Sequence, residues 1–386
     1  MRIVEIETLR PRSHPNLLFV RLRTDEGLVG LGEAYFGARA VESFLHESAA
    51  PELLGLDDVT PEGASAPYVG YQGAGAETRG KGALDLALWD LLGQQAGLPL
   101  VRLLGGPVRT EIPVYNTCAG SGYVTSGGQR SSNWEVRPGP YEDLHAFLHH
   151  PARLAKELRD EGIGAMKVWP FDTAAEATNG THISRRDLDR GLAVIEAIRE
   201  VDGMEVMVEL HGLWSRPAAA TIMEALTPLR PLWVEDPVRP DAVDALVRLA
   251  RQVDLPIATG ETLAGRRAFE PLLRQGAIDV ATVDVQWCGG LTEARKVAAL
   301  ADLHGVPIAP HDCTGPVTLA AATHLVLSQR NGLIQETARA FLRTWYGTLC
   351  EGLPQVADGV IRVSDTPGHG VRLARTDDMD GRVSRR

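Results

Sequence analysis

The sequence predicts an α/β fold, a TIM-type (β/α) barrel carrying an α+β capping domain at its N-terminal end. Three observations lead there. The first ~35 of the 386 residues alternate apolar and polar in the manner of antiparallel strands. From Ile112 onward, short apolar runs alternate with amphipathic helical runs. Carboxylates and other polar groups then recur near the ends of those apolar runs, at regular spacing.

Taken in order, "RIVEIETLR", "NLLFVRLRTDEG" and "LVGLGEAYFG" read as three strands, the second closing in an Asp-Glu-Gly turn. "GALDLALWDLLGQQAG" (82–97) repeats apolar residues at three and four and stops at a glycine, as a helix does. Strands and helix in separate blocks suggest an α+β domain over residues 1–110, completed by a C-terminal segment of about 345–386. Residues 111–344 form the expected barrel. Its strands are read at 112–118, 165–171, 205–211, 232–238, 256–262, 280–287, 307–312 and 333–338. Between most of them lie helices such as "RRDLDRGLAVIEAIREV" and "GLTEARKVAALADLHG". Eight such units in so short a span fit a closed barrel better than a doubly wound sheet. Residues 120–140, rich in Gly, Ser and Arg, are too long for a simple βα loop and are expected to lie over the barrel mouth.

Composition narrows the function. Thirty-nine Lys and Arg against fifty Asp and Glu leave a net charge of −11 with no basic cluster, which argues against a nucleic-acid partner. No run approaches the ~18 apolar residues of a membrane span. The four cysteines are widely spaced with no CxxC pairing, and residues 1–30 lack the apolar stretch of a signal peptide. A cytoplasmic enzyme with reduced thiols is the expectation. A small-molecule substrate and a homo-oligomer are the expected partners.

The polar residues carry the chemistry. Glu209, Glu235 and Glu261 each fall near the end of a predicted strand, 26 residues apart. Barrel active sites form at the C-terminal ends of the strands, so three consecutive strands would bring three carboxylates to one point. Three anions need a cation. An oxygen-only ligand set suits magnesium, although any one glutamate alone could be a salt-bridged rim residue. Lys167, Asp284, His311 and Glu336 sit near the ends of the second, sixth, seventh and eighth strands. Asp284 and His311, on neighbouring strands, would make a carboxylate–imidazole pair, the aspartate fixing the tautomer of a general base. Separately, Asp284 could cap the next helix and His311 could be a satisfied loop residue. In "VMVELHGLW", Glu209 and His211 stand two apart, so strand alternation would place both on one face.

These stretches together, "WVEDP", "TGET", "DVQWCGGLTEARKVAALADLHGVPIAPHD" and "QETARAF", resemble the enolase superfamily over nearly the whole chain, in particular its mandelate racemase-like branch. The resemblance implies Glu209, Glu235 and Glu261 as magnesium ligands and Asp284 with His311 as the catalytic dyad. It also implies that Glu336 hydrogen-bonds the substrate carboxylate or stabilises the ene-diolate. One departure stands out. Racemases of this branch carry Lys-x-Lys on the second barrel strand, whereas this chain has Lys167-Val168-Trp169. The second base is replaced by an indole. A histidine two residues after the third-strand ligand, His211, is similar to acid-sugar dehydratases of the galactonate and mannonate kind. That likeness implies dehydration of an aldonate or aldarate to a 2-keto-3-deoxy acid. His311 would take the proton at carbon 2, Lys167 would stabilise negative charge, and His211 would protonate the departing 3-hydroxyl. The loops 11–16 and 34–38 are candidate lids, and Arg130 is a candidate contact to an anionic substrate. A two-base racemase or epimerase and a catalytically silent barrel are the alternatives. An amidohydrolase would want an early His-x-His strand, and none is found.

Overall fold

The computed structural model describes residues 1–64 and 75–386. Strands β1 (Ile3–Pro11), β2 (Leu17–Thr24) and β3 (Val29–Tyr35) form an antiparallel sheet, and the C-terminal strand Met379–Arg385 joins it beside β1. The far end of the chain therefore returns to complete this sheet. Helix Ala76–Ala96 packs across it, burying Ala83, Leu84, Ala87, Leu88 and Leu91 against Ile6, Leu18, Val20 and Leu22.

The barrel strands are β4 (Ile112–Thr117), β5 (Ala165–Val168), β6 (Glu205–Glu209), β7 (Val234–Glu235), β8 (Ile257–Thr259) and β9 (Val280–Ala281). Each pairs in parallel with the next. The seventh position shrinks to one residue, Ile308, which bridges Ala281 on one side and Gly332 on the other. The eighth, β10 (Gln335–Thr337), pairs in parallel with β4 and brings the sheet back to its first strand. The fold class and the order of all eight positions agree with the sequence expectation. The strands are shorter than expected, most of all β7, β9 and the seventh.

Alternation explains the barrel interior. Inward residues come in pairs two apart, a floor residue and then a polar one: Ala165 and Lys167, Met207 and Glu209, Trp233 and Glu235. The floor is apolar, with the Tyr115 and Trp233 rings meeting edge to face at 5.5 Å. The polar layer therefore rests on an apolar base. In such surroundings electrostatic interactions strengthen and an unpaired charge becomes costly.

All four cysteines are buried and free. Among the described residues no helix is long and apolar enough to cross a membrane.

Candidate active site

Glu209 and Glu235 are directly in register on neighbouring strands, and Glu261 follows two residues beyond β8. Ligand oxygens of the three lie within 4.8 Å of one another, and all three side chains are buried. Glu209 Oε2 and Glu235 Oε1 have no hydrogen-bond partner; their compensation is the Lys167 ammonium at 3.3 and 3.0 Å. One ammonium does not balance the set. Burial pushes Glu235 up to about 8, with Glu209, Glu336 and Glu261 adding to the rise against the opposing pull of Lys167. Orphaned, buried, oxygen-only ligands crowded this closely fit a hard divalent cation.

Lys167 also reaches Glu336 at 3.0 Å. Burial pulls its ammonium down, but the surrounding carboxylates, Glu235 and Glu336 foremost, hold it well above the ordinary lysine range. Glu336 accepts hydrogen bonds from the Thr117 hydroxyl and from the Asp312 backbone N–H at 2.8 Å. Burial raises its carboxyl, yet Lys167, His311 and these donors bring it down to about 2. It is therefore an ionised acceptor that steadies the lysine.

Asp284 and His311 meet as expected, Nδ1 of the imidazole lying 2.8 Å from Asp284 Oδ2. The other aspartate oxygen accepts the backbone N–H groups of Gln286 and Trp287 at 2.7 and 2.6 Å. Neither residue sits on a strand. Asp284 lies three residues beyond β9, and His311 three beyond the bridging Ile308. Burial disfavours the imidazolium, but Glu261, Glu336 and Asp284 outweigh it and raise His311 well above the usual histidine range.

His211 corrects the geometry of the sequence reading. Strand β6 ends at Glu209, and His211 takes a left-handed backbone with φ of 49°, its N–H donating to Glu209 Oε1 at 2.7 Å. The ring reaches the cavity by a turn and not by strand alternation. Its Nδ1 lies 2.6 Å from Oδ2 of Asp172, a residue the sequence reading missed. Asp172 opens the short helix Asp172–Thr178 after the second barrel strand, where an acidic residue is ordinary for a helix start and gave no signal. Burial works against the charged ring, but Asp172 and Glu209 raise His211 to about 10.

The cavity thus has two imidazole walls. His211 follows the third barrel strand and His311 the seventh, positions across the barrel from each other. Each uses Nδ1 on its own aspartate, and each has a tryptophan beside it: Trp169 at 5.7 Å from His211 and Trp287 at 5.0 Å from His311. Lys167, Glu261 and Glu336 line the deep end. The mouth is covered by Phe36 from the capping sheet and by Tyr123, Val124 and Gln129 from the 120–140 insertion. The 34–38 loop therefore contributes to the cover, whereas the 11–16 loop supports it. Asn16 donates from Nδ2 to the carbonyls of Val124 and Gly127, both at 2.8 Å. Arg130 is exposed and is not a lining residue; its neighbour Gln129 is.

An α/β barrel with an antiparallel cap, a buried glutamate trio and facing histidines defines an enzyme class, and comparison with known proteins agrees. Residues 150–377 match the family model described as enolase C-terminal domain-like. Residues 7–105 match the mandelate racemase / muconate lactonizing enzyme N-terminal domain. The chain belongs to the enolase superfamily, in its mandelate racemase-like branch. It is 33% identical over 345 residues to a protein named D-galactonate dehydratase from Pectobacterium atrosepticum, covering 87% of this chain and 81% of the relative. A mandelate racemase subgroup enolase from Agrobacterium tumefaciens superposes with a TM-score of 0.87 at 41% identity, over 100% of this chain and 99% of the other. A Salmonella protein described as a putative dehydratase gives a TM-score of 0.88 at 26% identity, with both chains fully covered.

Proposed function

We propose that this enzyme dehydrates a sugar acid, an aldonate or aldarate, to a 2-keto-3-deoxy acid with magnesium held by Glu209, Glu235 and Glu261. The observation that carries the reading is the pair of facing histidines, each fixed through Nδ1 by a separate aspartate, so that Nε2 is the nitrogen left for substrate. Dehydration needs two such groups with different tasks. The relatives named D-galactonate dehydratase support the same chemistry. When bound, magnesium supplies positive charge that makes the proton beside the substrate carboxylate more acidic.

His311 takes the carbon-2 proton on Nε2, and the electron pair moves into the carboxylate. Glu261, 3.4 Å from that nitrogen, favours the protonated ring while its charge is uncompensated. With a cation held by the glutamates, Glu261 would favour the protonated ring less, which would leave His311 able to act as a base. Lys167 places its ammonium against the developing negative charge, steadied by Glu336. His211, charged beside Asp172, gives its Nε2 proton to the 3-hydroxyl as the C3–O bond breaks, and water leaves. The enol left behind tautomerises to the keto acid. Trp169 stands where racemases carry a second lysine and closes the wall behind His211.

Two variants separate the roles. His311→Asn should stop both keto-acid formation and exchange of the carbon-2 proton in deuterated water. His211→Asn should keep the exchange yet release little keto acid; loss of exchange in that variant would show that His211 is not confined to the second step. The symmetry of the two dyads also favours a second reading, a two-base epimerase. Wild-type protein that inverts carbon 2 and never forms a keto acid would establish it.

A further inference from the structure

Arg79 lies in the first turn of helix Ala76–Ala96, behind the residues that line the cavity, and reaches it through two of their rings. Its guanidinium carbon sits 5.0 Å from the centroid of Trp287 and 5.8 Å from that of Phe36, two of the aromatic rings that line the cavity. Trp287 in turn lies 5.0 Å from the His311 ring. A single indole therefore separates this cation from the proposed base. Stacking of this kind holds a guanidinium by its flat face and leaves its N–H edge free.

That edge is uncommitted. Among the described residues Arg79 makes no side-chain hydrogen bond and no ion pair. Asp284 is the one carboxylate whose charge it feels appreciably, and that group already serves His311, Gln286 and Trp287. The side chain is partly buried, and burial disfavours its charge. A partly desolvated cation without a counter-ion is costly unless something supplies one. The covering residues Phe36, Tyr123, Val124, Gln129 and Trp287 are all uncharged, so among the described residues none of those covering this end offers the guanidinium an anion. The deep end, by contrast, is the carboxylate-rich, metal-fitting end.

We infer that Arg79 selects substrates bearing a second anionic group at the end remote from the metal-bound carboxylate, which makes the preferred sugar acid an aldarate and not an aldonate. The inference rests on the sugar-acid dehydratase reading and deepens it. A sugar acid whose first carboxylate lies at the glutamate trio extends its chain toward the mouth, where a terminal carboxylate would pair with the guanidinium edge. A terminal hydroxymethyl group would leave the cation unpaired. Arg79 is on this account a specificity residue and takes no part in moving protons.

The test compares galactarate with galactonate, which share one carbon skeleton and differ only in the terminal group. Wild-type protein should show the higher kcat/KM on the diacid. Arg79→Gln should lower that value by about 10- to 100-fold, mostly through KM, the range expected for loss of one charge-assisted contact, while galactonate changes by less than about twofold. Arg79→Lys should recover part of the loss. Equal losses on both acids, or an unchanged diacid, would overturn the assignment. If neither acid is dehydrated, the dehydratase reading fails by itself, and calorimetric binding of the same two acids in magnesium buffer still decides the role of Arg79. Selective weakening of galactarate by Arg79→Gln supports it, and equal or absent weakening refutes it.

Discussion

Glu33 tests how the cap is joined to the loops of the candidate site. It lies on β3 with no exposed surface, and its two oxygens accept the backbone N–H groups of Val317 and Thr318 at 3.0 and 2.7 Å. Those are orphan donors in the first turn of helix Pro316–Ser328, which begins just after His311. No cation lies within ion-pair distance among the described residues. Two effects compete. Burial pushes the carboxyl up, to about 7 even with the donated hydrogen bonds pulling it down, whereas the helix N-terminus further favours the anion. If burial wins, the folded protein keeps a proton that the unfolded chain releases near pH 4.5, so stability is greatest in acid and falls as pH rises from about 4.5 through about 7. At about 1.4 kcal/mol per pH unit the whole window is worth about 3 kcal/mol. Glu33→Gln keeps the shape and does not titrate. Urea unfolding of wild type and variant at pH 4.5 and pH 8 should therefore show the variant gaining about 3 kcal/mol relative to wild type at the higher pH. A relative stability constant to within about 1 kcal/mol, or moving the other way, would mean that the helix terminus holds Glu33 ionised and that the burial argument is wrong.

Other expectations follow from the site. Chelation should abolish turnover and added magnesium restore it; Glu235→Gln should weaken magnesium binding measured by calorimetry, and full activity in metal-stripped protein would sink the ligand assignment. Asp172→Asn should cut dehydration by about 10²-fold or more through the wrong His211 tautomer while leaving carbon-2 exchange near wild type, both read by NMR in deuterated water. Trp169→Phe should preserve most of the turnover, since the indole is an aromatic wall packed between Tyr123 and Phe147, each at 5.2 Å. A loss matching that of His311→Asn would give Trp169 a catalytic part.

What could be read from the sequence and what could not follow from one distinction. The barrel and its glutamate trio are legible because repetition along the chain reports them: one carboxylate per βα unit at a spacing of 26 residues. His311 and Asp284 are legible as a pair because adjacent strand positions bring loop residues together. Strand alternation also gave His211 the correct destination by an incorrect route, since the strand ends at Glu209 and a left-handed turn does the work. Asp172 was not legible. Its partnership joins a residue after the second strand to one after the third, 39 positions on, and a single acidic residue at a helix start has a sufficient local explanation. Nor could the sequence separate Gln129 from Arg130, because which neighbour in an irregular loop faces inward depends on contacts such as the Gln129 amide donating to the Tyr123 hydroxyl at 2.8 Å.

The two imidazole walls differ in how they are held, and the difference has a functional consequence. His211 and Asp172 both belong to the barrel, and their hydrogen bond lies wholly within it. The His311 wall is also held from the cap. Besides Glu33, the cap sends Asp85 to the backbone N–H of Thr292 at 2.9 Å, in the first turn of helix Leu291–Leu303, which follows the loop carrying Asp284. The Gln286 side chain accepts the Tyr35 backbone N–H at 2.7 Å, and a Cβ at Gly82 would come within 2.0 Å of the Gln286 carbonyl oxygen. Helix and loop touch there with no room for a methyl group. The cap that supplies Phe36 to the mouth thus also fixes both loops of the Asp284–His311 dyad. Covering the cavity and positioning the proposed base thus rest on the same contacts, so variants that weaken the cap's hold are expected to impair the His311 side before the His211 side.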